Sequence, residues 1–257
     1  MIRSVRGLVL RRKSEELDIR FDLLTEEGNL VSLREHGILN SKSRSRLLSE
    51  PASIVAIEYY EKGNDRGSVK EGNVVDRFDI LKESWKGHLL LAHLMELALL
   101  SSRGEPSSEL FDLVKAALER LKDSLSRKKA SLDDTFFSLS FLVFFKIRLL
   151  GFLGIMGDPA HCAQCGEPLK GKVFWKIPDM SFLCENCSDE AIAAFFHFVR
   201  LIQAAIGAKF EEFCEASRKS QAVTLSSLNQ NLDVVLEHYF QKGLNSAREI
   251  ASSFNFG

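Results

Sequence analysis

No catalytic signature stands out in this sequence. It has no G-x-x-x-x-G-K-[ST] phosphate loop, no G-x-G-x-x-G after a strand, no G-x-S-x-G elbow and no H-E-x-x-H helix. Its six histidines are scattered, with His88 and His93 on one apolar helical stretch and His197 and His238 on later ones. A histidine in such a setting is more often packed and hydrogen-bonded than catalytic, so the chain is expected not to be an enzyme. Charge of one sign is not in excess either: 34 basic residues face 35 acidic ones. Bulk charge therefore gives no argument for a nucleic-acid partner, and any such case must rest on local asymmetry. Aromatics are scarce in the first 80 residues, where only Phe21, Tyr59, Tyr60 and Phe78 occur. A stacking platform for single strands needs several exposed rings, so binding there is expected to be mainly to backbone, with weak sequence selectivity.

Two further absences concern compartment and membrane. The N-terminus "MIRSVRGLVLRRK" has an apolar run of only Leu8 to Leu10 between basic residues, so no secretory signal is expected. The longest apolar stretch, "TFFSLSFLVFFKIRLLGFLGIMG" at 135 to 157, carries Lys146 and Arg148 near its middle. Each would cost about 2.5–3.5 kcal/mol on insertion into a bilayer, which favours a buried central helix over a membrane span.

Against this background the cysteines are informative. Cys162 and Cys165 form one C-x2-C pair, Cys184 and Cys187 another, with eighteen residues between. The spacing suits a four-thiolate zinc site with no position left open for water, hence a structural rather than catalytic ion. Disulfides would suit a secreted chain, and a thioredoxin-like site would want one pair beside a βαβ pattern; an absent metal or a redox use remain the alternatives. His161 is expected outside the coordination sphere. Cys214, following Phe210 and Phe213 at helical spacing, reads as an inert core thiol.

Along the chain, "SVRGLVLRRK", "LDIRFDLLT", "NLVSLRE", "SIVAIEYYEK" and "GSVKEGNVVDRF" read as short strands separated by turns such as "EEGN" and "KGNDRG". Five strands in 80 residues suit a small closed barrel, of which the oligonucleotide/oligosaccharide-binding (OB) fold is the best-known solution. After Trp85 the pattern becomes helical. Leu110, Leu113, Val114, Ala117, Leu118, Leu121 and Leu125 share one face, with Ser107 or Ser108 as the cap, and Asp133 and Asp134 are placed to cap the apolar helix that follows. The reading is an α+β protein: an OB barrel over residues 1–80, then a helical domain over 81–257 with a zinc ribbon inserted at 160–190.

Charge is uneven locally. Residues 1 to 13 carry Arg3, Arg6, Arg11, Arg12 and Lys13 with no acid, and "HGILNSKSRSRLLS" at 36 to 49 carries Lys42, Arg44 and Arg46 with none. Such segments can neutralise phosphates while serine hydroxyls and backbone N–H groups add hydrogen bonds; the bland alternative is an ordinary solvated loop. Arg11, Arg12, Lys42, Arg44 and Arg46 are the candidate DNA contacts.

The order of these parts resembles the bacterial RecO family of DNA repair and recombination mediators. The stretches that carry the resemblance are "GLVLRRKSEELDIRFDLLTEEGNLVSL" (7 to 33), "HGILNSKSRSRL" (36 to 47) and "FKIRLLGFLGIMGDPAHCAQCG" (145 to 166), where a helix ends in a glycine-rich turn and runs into the first cysteine pair. The chain departs from the family at "KSEELD", where an aromatic-Gly-Glu step is common, and near the C-terminus at "QKGLNSAREI". The resemblance implies a bacterial, cytoplasmic, nucleoid-associated protein that binds single- and double-stranded DNA and anneals complementary strands without ATP. It also implies action with RecR to load recombinase onto strands covered by single-strand-binding protein (SSB). Arg148 matches a basic position on the family helix that receives the acidic SSB C-terminal tail; its plain alternative is a helix-end ion pair or a side chain snorkelling from the core. A zinc-stabilised adaptor that binds only proteins is the runner-up, and a thiol redox protein comes third.

Overall fold

Alternating apolar residues and glycine-containing turns produce five strands, β1 (Ile2–Glu15), β2 (Asp18–Thr25), β3 (Leu30–Glu35), β4 (Ile54–Gly63) and β5 (Arg66–Asp76), close to the predicted ones. The computed structural model describes residues 1–37, 46–63, 65–127, 131–132, 134–177, 179–188, 192–194, 196–218 and 222–254. Lys42, Arg44 and Asp133 lie outside the described residues, as does the side chain of Arg46. Strand order is β1-β2-β3-β5-β4, and β4 pairs back with β1 to close the barrel. Only β3 and β5 pair in parallel. This is the five-stranded OB barrel expected from the sequence. Val9, Phe21, Leu23, Leu33, Val55 and Tyr59 are among the residues that fill it. Phe21, Tyr59 and Phe78 are buried, so of the four aromatics in this region only Tyr60 is exposed.

Contacts divide the chain into two compact units, Met1–Lys129 and Ala130–Gly257. The change from strand to helix near residue 80 therefore falls inside the first unit. There α1 (Trp85–Ser101) packs on β1, and α2 (Ser108–Ser126) packs on β1 and β2. Ser84 caps α1 by accepting the Gly87 N–H, and Ser107 caps α2 by accepting that of Glu109. The apolar face of α2 is buried through Leu110, Val114, Leu118 and Leu121.

In the second unit, α3 (Thr135–Phe152) is capped by Asp134, whose carboxylate accepts the N–H groups of Phe136 and Phe137. The helices α4 (Phe196–Gly207), α5 (Phe210–Ser217), α6 (Ala222–Phe240) and α7 (Asn245–Ser253) follow the cysteine segment. By length and composition α3 could cross a membrane, but 61% of it is buried inside this unit, where it packs on α4, α5 and α6. Lys146 is fully buried and pairs with Asp233 of α6 at 2.5 Å. That is a core helix with its one deep charge satisfied. Between α3 and α4 lies a three-stranded sheet of β6 (Val173–Lys176), β7 (Ser181–Cys184) and β8 (Ile192–Ala194), in the order β7-β6-β8. The ribbon is thus an insertion between helices.

Candidate metal centre and nucleic-acid interface

Each cysteine pair sits where the backbone turns sharply. After Cys162 the chain folds back so that the Gly166 N–H donates to the Cys162 carbonyl at 2.9 Å, with Gly166 at φ 76, a conformation that glycine adopts without strain. The hairpin of β6 and β7 returns the second pair: Cys184 ends β7 and Cys187 closes a short 3-10 turn. The Ala163 N–H donates to the Phe182 carbonyl at 2.9 Å, and the Cys184 N–H donates to the Cys162 sulfur at 3.4 Å. These bonds tie one pair to the other.

All four sulfurs lie within 4.8 Å of one another, and Cys165 Sγ and Cys184 Sγ are 3.8 Å apart. A tetrahedral ion with metal–sulfur bonds of about 2.3 Å sets its sulfurs about 3.8 Å apart, so the cluster fits a four-thiolate metal site. None of the four is in a disulfide. Burial opposes ionisation of Cys162, but N–H donors from Cys165, Cys184 and Gln164 outweigh it and bring the thiol down to about 6. Cys187 is pushed up to about 12, first by its hydrogen bond with Cys184 and then by burial. The surroundings therefore favour the thiolate of Cys162 and oppose those of Cys165 and Cys187. A divalent cation removes that resistance by supplying the charge that four thiolates require. His161 stands outside the set, with Nδ1 2.8 Å from Asp158 Oδ2. Cys214 is half-buried on α5.

On the barrel, register decides what each basic residue of β1 meets. Arg11 pairs across the ladder with Asp22, Arg12 with Phe21, and Lys13 with Arg20. Cross-strand partners share a face, so Arg11 forms an ion pair with Asp22 while Arg12 lies on the opposite face beside a core aromatic. Arg3 is held by Glu61 at 2.9 Å and Arg6 by Glu26 at 3.3 Å. Arg12 and Lys13 have no acidic partner among the described residues.

Those two line a cleft of about 750 Å³ with Arg11, Arg20, Ser32 and Arg66. Arg66 opens β5, beyond the β4–β5 turn, and it too is unpaired among the described residues. The Ser32 N–H donates to the Asp65 carbonyl at 2.8 Å, which fixes that turn to β3. The cleft thus spans the β2–β3 face between the β1–β2 and β4–β5 turns, the region where OB barrels receive oligonucleotides and oligosaccharides. Five basic residues line it against the acids Glu15, Asp22 and Asp65. Arg66 was not among the sequence candidates. Its signal was a basic residue in the "KGNDRG" turn, legible only once that turn is placed beside β3.

Arg148 donates to the carbonyl oxygen of Ala208, just past α4, at 2.8 Å, and its guanidinium lies 5.2 Å from the centre of the Phe144 ring. Phe144 in turn contacts Phe210 and Phe213 of α5, at centroid distances of 5.4 and 5.5 Å. Arg148 therefore satisfies a helix-end carbonyl beside an aromatic cluster, the kind of structural role considered as its alternative.

An OB-type barrel followed by helices, with a four-cysteine ribbon between two of them, defines the class of protein to which the fold belongs. The family model described as recombination protein O C terminal matches residues 85–248, more than half of the chain. The chain belongs to the recombination protein O, or RecO, family of DNA repair and recombination. The DNA repair protein RecO of Leptospira biflexa serovar Patoc is 29% identical over 191 residues, covering 72% of this chain and 72% of that protein. The RecO of Rubrobacter xylanophilus is 26% identical over 191 residues, covering 72% and 71%. That of Thermodesulfovibrio yellowstonii is 24% identical over 174 residues, covering 67% and 64%.

Proposed function

We propose that the chain is a non-enzymatic recombination mediator of the cytoplasm and nucleoid. It binds single- and double-stranded DNA, anneals complementary strands without ATP, and with RecR loads recombinase onto strands coated with SSB. The observation that carries this reading is the cleft on the β2–β3 face, where Arg12, Lys13 and Arg66 keep charges that no acid among the described residues takes up. Such charges neutralise two mutually repelling backbones, and the benefit fades as salt screens them. Arg11 contributes with its charge shared with Asp22, and Lys42, Arg44 and Arg46 are further phosphate contacts in this reading. Arg148 and the aromatic cluster beside it receive the acidic, apolar SSB tail.

Zinc is the ion we assign to Cys162, Cys165, Cys184 and Cys187. Bound there, it closes the ribbon and supplies no open coordination position. Metal content and thiol titration of the purified protein test this: a single zinc per chain is expected, and two stable, reducible disulfides without metal overturn it.

Fluorescence-monitored annealing of complementary strands, bare and SSB-coated, in the absence of ATP tests the mediator reading. Annealing that declines as salt rises is the expected result. The adaptor reading draws support from the ion pairs that neutralise Arg3, Arg6 and Arg11. No annealing and no DNA retention at low salt would decide for the adaptor. Arg148→Ala should impair annealing of coated strands more than of bare ones, whereas equal loss on both leaves Arg148 a purely structural residue.

A further inference from the structure

Tyr60 is 47% exposed, while Tyr59 beside it fills the barrel core. Alternation along β4 explains the difference, because adjacent residues of a strand face opposite sides of the sheet. Register then fixes where the exposed ring stands. Tyr60 pairs with Ser68 of β5, Ser68 with Arg34 of β3, Arg34 with Arg20 of β2, and Arg20 with Lys13 of β1. Directly paired residues share a face, so the ring lies in one row with three basic residues on the outside of the barrel. Arg66 precedes Ser68 by two residues on β5 and shares that face, which makes it the diagonal neighbour of Tyr60, about 7–8 Å away and within reach of long side chains. Arg66 also lines the basic cleft, and it forms no ion pair with an acid among the described residues. Tyr60 thus stands at the β4 border of that cleft.

On its other side Tyr60 pairs with Ile2 of β1, itself 49% exposed. The ring is therefore bounded by an apolar side chain on one strand and a guanidinium on the other. The strand beside it is tied down: Ser68 Oγ lies 3.2 Å from His36 Nε2, and His36 Nδ1 lies 2.8 Å from Asp18 Oδ2. An apolar protein segment would use Tyr60 and Ile2 and leave the charge of Arg66 idle. A nucleotide uses both, offering a base face to the ring and a phosphate to the guanidinium. A duplex has no free base face to offer. We propose that Tyr60 stacks an unpaired nucleobase while Arg66 holds the adjoining phosphate, and that this pair makes the chain prefer single-stranded over double-stranded DNA. The inference rests on the DNA-binding reading above and adds what that reading lacks, a contact with the base itself.

The full chain is titrated with three ligands of equal length, roughly 12 nucleotides and within the site size of one OB fold: oligothymidine, an abasic deoxyribose-phosphate strand and a duplex. Tyr60→Thr removes the ring and keeps a β-branched side chain suited to a strand. It should weaken oligothymidine binding by about fivefold or more, the loss of one stacked base, and leave binding of the abasic strand and the duplex unchanged. Unchanged binding of the abasic strand also shows that the variant is folded. Tyr60→Phe should keep the oligothymidine affinity. Arg66→Ala should weaken oligothymidine and the abasic strand alike and lower the log–log salt slope by about 0.7, a slope that Tyr60→Thr leaves as it is. Oligothymidine affinity in Tyr60→Thr equal to that of the unaltered chain overturns the proposal. Equal loss on oligothymidine and the abasic strand also overturns it. If the unaltered chain binds none of the three ligands, the DNA-binding reading itself has failed, and the stacking contact with it.

Discussion

Lys146 lies wholly inside the second unit, on a helix that is apolar on nearly every side. Burial pushes its ammonium below the ordinary lysine value, and the charge and hydrogen bond of Asp233 oppose that shift. Asn229 adds an acceptor, Oδ1, at 2.8 Å. Removing one member of a buried pair strands the other charge, at a cost of about 3–5 kcal/mol. Asp233→Ala and Lys146→Met should each destabilise the second unit by about that much, while Lys146→Met combined with Asp233→Leu should regain most of the loss. Urea unfolding of the three variants checks this; additive losses in the double variant would mean that the two residues act separately. At the same scale, Arg12 and Lys13 hold the free charge that Arg11 does not. Reversing both to Glu should weaken binding to unrelated DNA sequences alike and lower the log–log salt slope by about 0.7–0.9 for each lost contact. Measured affinities at several salt concentrations would show a slope unchanged from the unaltered chain if the cleft is not the site.

The ribbon is the element on which the zinc assignment proposed above bears most. Its small sheet has a core of Trp175 stacked on Phe182 at 6.0 Å, with Phe198 of α4 edge-on to Trp175 at 6.5 Å. Gly157 approaches it so closely that an added Cβ would lie 2.1 Å from the Met180 carbonyl oxygen. Zinc binding in such sites carries about 10–16 kcal/mol of apparent free energy, coupled to local folding. Cys184→Ser should therefore lose the metal and the near-ultraviolet dichroism of Trp175 and lower soluble yield. The helical signal of α3 and α6 should survive, because those helices pack on each other through residues outside the ribbon. A variant that keeps both metal and aromatic signal would place the structural burden elsewhere.

For the whole chain, the existence of two compact units leads to an expectation of two unfolding transitions in calorimetry. Chelation should lower only the one belonging to the second unit. The first unit has its own pH signature. Burial raises the Asp76 carboxyl, but the Lys122 hydrogen bond at 2.5 Å, the Phe78 N–H and the Lys122 charge outweigh it and hold the carboxyl below its ordinary value of 3.8. Glu50 is likewise held below its ordinary 4.5: burial raises it, and Lys82 and Arg77 overcome burial. A carboxyl with a depressed folded pKa stabilises the fold above its unfolded pKa, and that contribution disappears as pH falls through the folded value. The first transition should therefore move to lower temperature as pH drops below about 4.5, and Asp76→Asn should flatten this dependence. Thermal scans across that range provide the check.

What the sequence by itself determined was whatever depends on local periodicity and spacing. Alternation and turn residues placed the five strands; steps of three and four residues placed α2 and its buried leucines; and the paired cysteines specified a four-cysteine cluster before any sulfur position was known. Only the tertiary structure decided which charges remain available. Arg11 and Arg12 are neighbours in sequence and equal in composition, yet the register of β1 on β2 gives one an acid and the other a core phenylalanine. Tertiary structure likewise gave Lys146 a partner 87 residues away. It grouped α1 and α2 with the barrel, and it left Trp85 in water while burying Trp175. The physical reason is common to all of these: burial and ion pairing are set by segments remote in sequence, whose apposition the closing of the barrel and the packing of the helices decide.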